Sequence, residues 1–318
     1  MNYFIIVSGP TAVGKTDFVD SLGSLIEKPY EIINADVGQL YTPLSIGTAK
    51  PSYKTSSLKH YLFDVLDKPH SYTVSQWREA VVAIMHDSWS RDHIPVIVGG
   101  SSFYISSLFF PPRGMPQEAL PVSWATKSSQ ELWDELYALD QTRAHALHPN
   151  DRYRIERALA IWHFQGKVPS SCQPHFEAPG TCSFYYLMRP KDELHRRIEH
   201  RVSAMMEHGW IDEVRSLDDE WIKFLLEKKL IGYPDIISYL QQKGACSYQE
   251  LITTISRKTC SYAKRQVVFW RMLKKRLEHH DPDGNVIKNI VELHAMESSG
   301  NEFFGVETDK VRDTGDSL

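Results

Sequence analysis

Residues Gly9-Pro10-Thr11-Ala12-Val13-Gly14-Lys15-Thr16 place two glycines, a lysine and a hydroxyl side chain in the spacing of a P-loop. The run before it, Tyr3-Phe4-Ile5-Ile6-Val7, reads as a buried strand. After it, Phe18, Val19, Leu22, Leu25 and Ile26 fall on one helical face. Chance gives the four fixed positions in about one chain of this size in a hundred, and the strand–loop–helix context makes coincidence rarer still. The chemistry explains the arrangement. Glycines let the backbone curl until several N–H groups point inward at phosphate oxygens, and the positive end of the helix adds to that cup. Lys15 supplies charge for an outer phosphate, and the Thr16 hydroxyl can hold a Mg²⁺ that bridges phosphates. The motif is specific for phosphate and uninformative about the reaction.

The next stretches extend an α/β pattern. Tyr30-Glu31-Ile32-Ile33-Asn34-Ala35 reads as a second strand with Asp36 at its C-terminal end, where ligands gather in open α/β sheets. Ile46-Gly47-Thr48-Ala49-Lys50-Pro51 is a turn. Tyr61-Leu62-Phe63-Asp64-Val65 is a third strand candidate. Thr73 and Gln76 have capping-box spacing before an apolar face at Val81, Ile84, Met85 and Trp89. Pro95-Val96-Ile97-Val98-Gly99-Gly100-Ser101 is another buried strand running into a polar turn. The alternation predicts a parallel, P-loop NTPase-like sheet.

The pattern changes at Phe110-Pro111-Pro112-Arg113-Gly114-Met115-Pro116, a cluster of breakers. From Glu131 to about Gly166 the reading is helical. Asn150 or Asp151 can cap a helix whose apolar face is Ile155, Leu159 and Trp162, with Arg154 and Arg157 turned away from it. A strand returns at Ser183-Phe184-Tyr185-Tyr186-Leu187-Met188, and the next helix buries Leu194, Ile198, Val202 and Met205. The expected organisation is a core over 1–111, a helical insertion over 112–182, the core resumed over 183–276, and a tail over 277–318.

A length of 318 residues suits about two domains. With 42% hydrophobic and 24% charged residues the composition is that of a soluble globular protein. No apolar run approaches the ~20 residues of a membrane helix, and no signal-peptide pattern precedes the first strand. The four cysteines form no CxxC pair and read as reduced thiols. A cytoplasmic protein without a membrane partner is expected. The net charge of -4 is uneven: ten acidic and three basic residues lie from Glu278 onward, which leaves the rest near +3. The tail therefore reads as acidic and partly ordered. Residues 257–276 carry eight basic side chains and no acidic one, around an apolar stripe of Tyr262, Phe269, Trp270 and Leu273. Such a run is a solvated helix face, a phosphate clamp or a nucleic-acid contact.

These motifs together resemble those of the bacterial tRNA dimethylallyltransferases, also called tRNA isopentenyltransferases. The likeness covers about residues 3–276. Beyond the P-loop it rests on Asn34-Ala35-Asp36 with Gln39 and Tyr41, on the 46–51 turn, and on Val98-Gly99-Gly100-Ser101. It continues through His148-Pro149-Asn150-Asp151 before Arg154-Ile155-Glu156-Arg157-Ala158-Leu159, Ile231-Gly232-Tyr233, and Tyr262-Ala263-Lys264-Arg265-Gln266.

The resemblance implies transfer of a dimethylallyl group from its diphosphate to the exocyclic amine of the adenine beside a tRNA anticodon. The diphosphate would lie on Gly9, Thr11, Ala12, Val13, Gly14, Lys15 and Thr16, with Mg²⁺ as cofactor on Thr16. Asp36 would act as general base and Ser101 would orient a substrate. The adenine must leave its stack. Gln39 would pair bidentately with its edge, beside Asp36, Val37 and Gly38. Arg154, Arg157, Tyr233, Lys264, Arg265 and Gln266 would hold the tRNA. A monomer is expected. Five departures bear on RNA or adenine handling: Val37 for the family's usual Ser, Ser101 for Thr, Pro234, Cys260-Ser261, and a shorter insertion. Asp36 also reads as a Mg²⁺ ligand or a structural carboxylate. The competing functions are a small-molecule P-loop kinase, a prenyltransferase of free adenine nucleotides, and a nucleotide-regulated RNA-binding protein.

Overall fold

A computed structural model describes residues 2–24, 26, 28–112, 120–172, 174–241, 246–298 and 301–306. Two compact units make up the chain: Met1–Ser106 with Ala178–Leu318, and Ser107–Glu177. The predicted breaks at 113–116 and the predicted core position Leu25 lie outside the described residues.

The first unit is built on one sheet. In chain order it begins with β1 (Tyr3–Ser8), α1 (Lys15–Ser21), β2 (Tyr30–Asn34), β3 (His60–Tyr61), α2 (Val74–Ser90), β4 (Ile94–Gly99) and α3 (Ser102–Phe109), the last leading into the second unit. The strand order is β3-β2-β4-β1-β5-β6-β7, where β5 is Thr181–Met188, β6 Ile287–Ser298 and β7 Asn301–Val306. β1 sits between β4 and β5, parallel to both, so both of its edges are paired, and residues pointing to either face are buried. Hence its unbroken apolar run, with Phe4, Ile6 and Val7 wholly buried. The capping box forms as the spacing predicts: Gln76 N–H donates to the Thr73 hydroxyl while the Gln76 amide accepts from Thr73 N–H.

The third strand and the tail depart from expectation. The third strand stops after two residues because Leu62 and Asp64 take left-handed φ of 61° and 51°. Asn34 Nδ2 donates to Leu62 O at 2.8 Å, and the Asp64 carboxylate pairs with Lys50 and accepts from the Tyr53 hydroxyl at 2.5 Å. These bonds turn the chain away from the ladder. The acidic segment expected to lie outside the core supplies β6 and β7. β6 pairs parallel with β5, and Glu292 accepts from Trp270 Nε1 at 2.7 Å and from Lys274 at 3.0 Å. The basic helix recruits the acidic strand. Residues 307–318 lie outside the described residues.

The second unit holds α4 (Val122–Ala125), α5 (Ser129–Leu139), α6 (Gln141–His145) and α7 (Arg152–Gln165), packed on Leu132, Leu136, Ile155 and Leu159. Its span, Ser107–Glu177, is displaced toward the N-terminus from the expected 112–182, because β5 already begins at Thr181. Asp151 caps α7, accepting from Arg154 N–H at 3.3 Å. Trp162, expected on the apolar face, is 40% exposed in the last turn.

The chain returns through β5 to α8 (Lys191–Glu207), α9 (Trp210–Arg215), α10 (Asp219–Lys228), α11 (Tyr233–Gln241) and α12 (Tyr248–His280). α8 buries Leu194, Ile198, Val202 and Met206 at strict four-residue spacing, which leaves Met205 half-buried against the core and lining a cavity. The basic run 257–276 lies wholly within α12. Among the described residues no helix is long and apolar enough to cross a membrane.

Candidate active site

The P-loop follows β1 and curls as its glycines predict. Gly9 has φ 154°, and a Cβ there would stand 2.7 Å from Leu187 O. Gly14 caps α1 with φ 104°, and Ala12 is left-handed at 63°. Val13 points its side chain into the core while its carbonyl accepts from Arg189 Nε at 2.8 Å. Lys15 curls back over the loop, donating to Gly9 O at 3.1 Å and Pro10 O at 2.9 Å.

A 710 Å³ cavity opens over this loop, lined by Thr11, Lys15, Thr16, Asp36 and Gln39 from the predicted set. Its opposite wall is α8, which presents Arg196, Arg197, His200 and Arg201. Arg197 Nε donates to Ala12 O at 3.0 Å, and Arg201 reaches the Thr11 hydroxyl at 3.4 Å. These arginines are absent from the expected set. They are legible only as an i, i+4 pair flanking the buried stripe of α8. Burial lowers Lys15 to about 8, opposed by Asp36 and reinforced by Arg201. Burial raises Asp36 above the ordinary carboxylate range, against the pull of Lys15, the Gly38 N–H and Arg201. Several cations against one carboxylate make a site suited to a multiply charged anion.

Asp36 is held from its backbone and its side chain. Asn34 Oδ1 accepts from Asp36 N–H at 2.9 Å, and Gly38 N–H donates to Asp36 Oδ1 at 3.2 Å. Ser101 Oγ accepts from Val37 N–H at 3.1 Å, so the hydroxyl that ends β4 and the carboxylate that ends β2 meet at the sheet's C-terminal edge. A second cavity of 340 Å³ begins here and shares Thr11, Asp36 and Arg201 with the first. Its lining combines the polar Ser101, Tyr262 and Arg265 with the apolar Val37, Ile198, Val202, Met205, Trp210 and Ile231. Lys264 is exposed on α12 and lines neither cavity.

Two expected RNA contacts are buried supports instead. Tyr233 has no exposed surface, and its hydroxyl donates to Glu213 Oε1 at 2.8 Å. Gln266 is 4% exposed. Its Oε1 accepts from Thr11 N–H at 2.9 Å and its Nε2 donates to Gly100 O at 2.8 Å, tying the P-loop to the end of β4. Arg154 and Arg157 belong to the second unit. Arg154 is exposed beside Asp151, and Arg157 lies over the Tyr153 ring and donates to its hydroxyl at 2.9 Å.

Gly47 and Gly232, from separate motifs, serve one packing knot. A Cβ on either would overlap the Trp210 indole, which is 2% exposed between them. Overpacking such a contact costs about 1–3 kcal/mol. A Gly47→Ala variant is expected to lose that much stability in urea unfolding and to lower transfer activity as well. Unchanged unfolding would remove the packing argument for this glycine.

Comparison with known proteins finds relatives over most of the chain. The family model described as IPP transferase matches residues 39–273. A tRNA dimethylallyltransferase of Kosmotoga olearia is 32% identical over 308 residues, spanning 94% of this chain and 98% of that protein. The solved tRNA isopentenylpyrophosphate transferase of Bacillus halodurans is 28% identical with a TM-score of 0.57, covering 85% of this chain and 87% of that one. A eukaryotic dimethylallyltransferase acting on tRNA has the same fold at a TM-score of 0.73, with 24% identity over 92% of this chain and 73% of that chain. The chain belongs to the IPP transferase family.

Proposed function

We propose that this transferase moves a dimethylallyl group from dimethylallyl diphosphate to the N6 amine of the adenine 3′ of a tRNA anticodon. The observation that carries the reading is the meeting of two unlike cavities at Asp36. One is cationic and suits a diphosphate; the other has an apolar wall for a five-carbon chain and polar groups for a base. In the reaction the N6 lone pair attacks the allylic carbon, the carbon–oxygen bond breaks, and diphosphate departs. The P-loop N–H groups, Lys15, Arg197 and Arg201 stabilise the charge that develops on the leaving group. Asp36 takes the proton from N6. Ser101 holds the Val37 N–H and with it the Asp36 loop.

Mg²⁺ fits as an ion held mainly by the substrate. Among the described residues no cluster of three or more His, Cys, Asp or Glu side chains can hold a metal. Thr16 lines the cavity, its hydroxyl has no hydrogen-bond partner among the described residues, and a Mg²⁺ typically keeps waters and phosphate oxygens as its other ligands. Bound there, it would offset charge on the diphosphate oxygens.

Arg154 and Arg157, with Lys264 and Arg265, are the tRNA-backbone contacts in this reading. An Arg154→Ala change is expected to weaken stem-loop binding about evenly across sequences and to reduce the salt slope by about one. An unchanged slope would exclude a phosphate contact there. The function itself is tested with labelled dimethylallyl diphosphate, Mg²⁺ and an anticodon stem-loop with three consecutive adenines. A parallel reaction holds free adenine nucleotides. Label on the stem-loop supports the reading; label on free nucleotides alone overturns it.

A further inference from the structure

Glu213 lies outside both cavities, yet it gathers a converging set of donors. Its Oε2 accepts from Ser45 N–H at 2.7 Å and Ile46 N–H at 2.6 Å, and its Oε1 from Gly47 N–H at 3.2 Å and the Tyr233 hydroxyl at 2.8 Å. Three consecutive backbone N–H groups make a nest of the kind that binds anions, here filled by the protein's own carboxylate. The other end of the same turn is gripped by Lys50, which pairs with Asp64 and donates to Tyr41 O at 2.8 Å.

Between these two grips, the turn presents the carbonyls of Thr48 and Ala49. Gln39 Nε2 donates to them at 3.1 and 3.3 Å. Only the nitrogen end of an amide can donate to a carbonyl, so the two bonds fix the amide's orientation and turn its nitrogen toward the turn. In this orientation Gln39 offers its oxygen alone, not the bidentate amide edge that the sequence suggested. Its Oε1 has no partner among the described residues, and the side chain lines the cationic cavity next to Asp36, the residue at which the two cavities meet.

We propose that Glu213 is a positioning residue. By filling the nest it holds the 45–49 turn, and through Thr48 and Ala49 it keeps Gln39 an acceptor alone. The site then demands an N–H donor from the base, which an exocyclic amine supplies and a 6-unsubstituted purine does not. The donor's identity rests on the function proposed above; the clamp on Gln39 does not.

Glu213→Gln preserves size but turns an NH₂ toward the nest, and Tyr233→Phe removes one donor while keeping the ring. In the ¹⁵N-labelled full chain, the Gln39 side-chain amide signals, assigned by their loss in Gln39→Ala, are expected to move toward free-amide positions in Glu213→Gln. They should move partway in Tyr233→Phe, which also serves if Glu213→Gln does not fold. The wild type is expected to bind an adenine stem-loop about tenfold tighter than one with purine at the target position, the worth of about one hydrogen bond. Glu213→Gln and Gln39→Ala should both lower that ratio severalfold. Gln39 signals that stay in place in both variants, or a preserved ratio beside lost activity, would overturn the clamp. A wild type that labels no stem-loop would instead overturn the proposed function and leave the amide test standing.

Discussion

Asp36→Asn is expected to lower dimethylallyl transfer by about 10²–10⁴-fold while leaving stem-loop affinity within about twofold. The adenine amine is a poor nucleophile because its lone pair is conjugated with the ring, so removal of its proton during attack matters. The asparagine keeps the shape and the oxygen that accepts the Gly38 N–H, and it removes only the basicity. Single-turnover transfer from labelled dimethylallyl diphosphate, alongside filter binding of the same stem-loop, separates the two effects. Equal losses in both would make Asp36 a structural or RNA-binding group. The pH profile adds an independent mark. Burial raises the Asp36 carboxyl above the ordinary carboxylate range, so the base is protonated at a higher pH than an exposed aspartate. Activity should fall on the acid side above the usual carboxylate pKa of about 4, and Asp36→Asn should remove that limb.

What the sequence made legible is chemistry encoded locally. The P-loop needs glycines at fixed offsets, and Asp36 and Ser101 each end an apolar strand, so residue type and strand end together placed them at one edge of the sheet. The α8 arginines escaped because helical periodicity marks the buried stripe of Leu194, Ile198 and Val202 and says nothing about what the flanking residues face. Their partners, Thr11 and Ala12, lie far away in sequence. Gln266 and Tyr233 misled for the opposite reason. A polar group within a basic or glycine motif reads as a contact, although each is buried against the protein's own donors and acceptors. The tail misled by composition. Its many acids hid a strand that buries Ile287 and Leu293, and which pairs with β5, far away in sequence. Local motifs survive translation into structure, whereas burial of a polar side chain is decided by residues far along the chain.

Lys15→Ala is expected to lower kcat/KM for the allylic diphosphate by about 10²–10³-fold, the scale for removing one charged group from developing oxyanion charge. Stem-loop affinity should barely change. In the protein without substrate, the Lys15 ammonium rests on the carbonyls of Gly9 and Pro10, which a phosphate oxygen would replace. Burial brings its pKa down to about 8. A lowered value for a cation means that the charge is lost as pH rises through it, so the free protein holds Lys15 charged at pH 7 and neutral well above 8. A bound diphosphate adds negative charge beside the ammonium and pushes its pKa back up. Because kcat/KM follows the free enzyme and kcat the complex, kcat/KM should fall above about pH 8 while kcat stays level there. Lys15→Ala should keep a low kcat/KM with no alkaline limb. An alkaline limb that persists in the variant would place that titration on another group and leave Lys15 charged throughout.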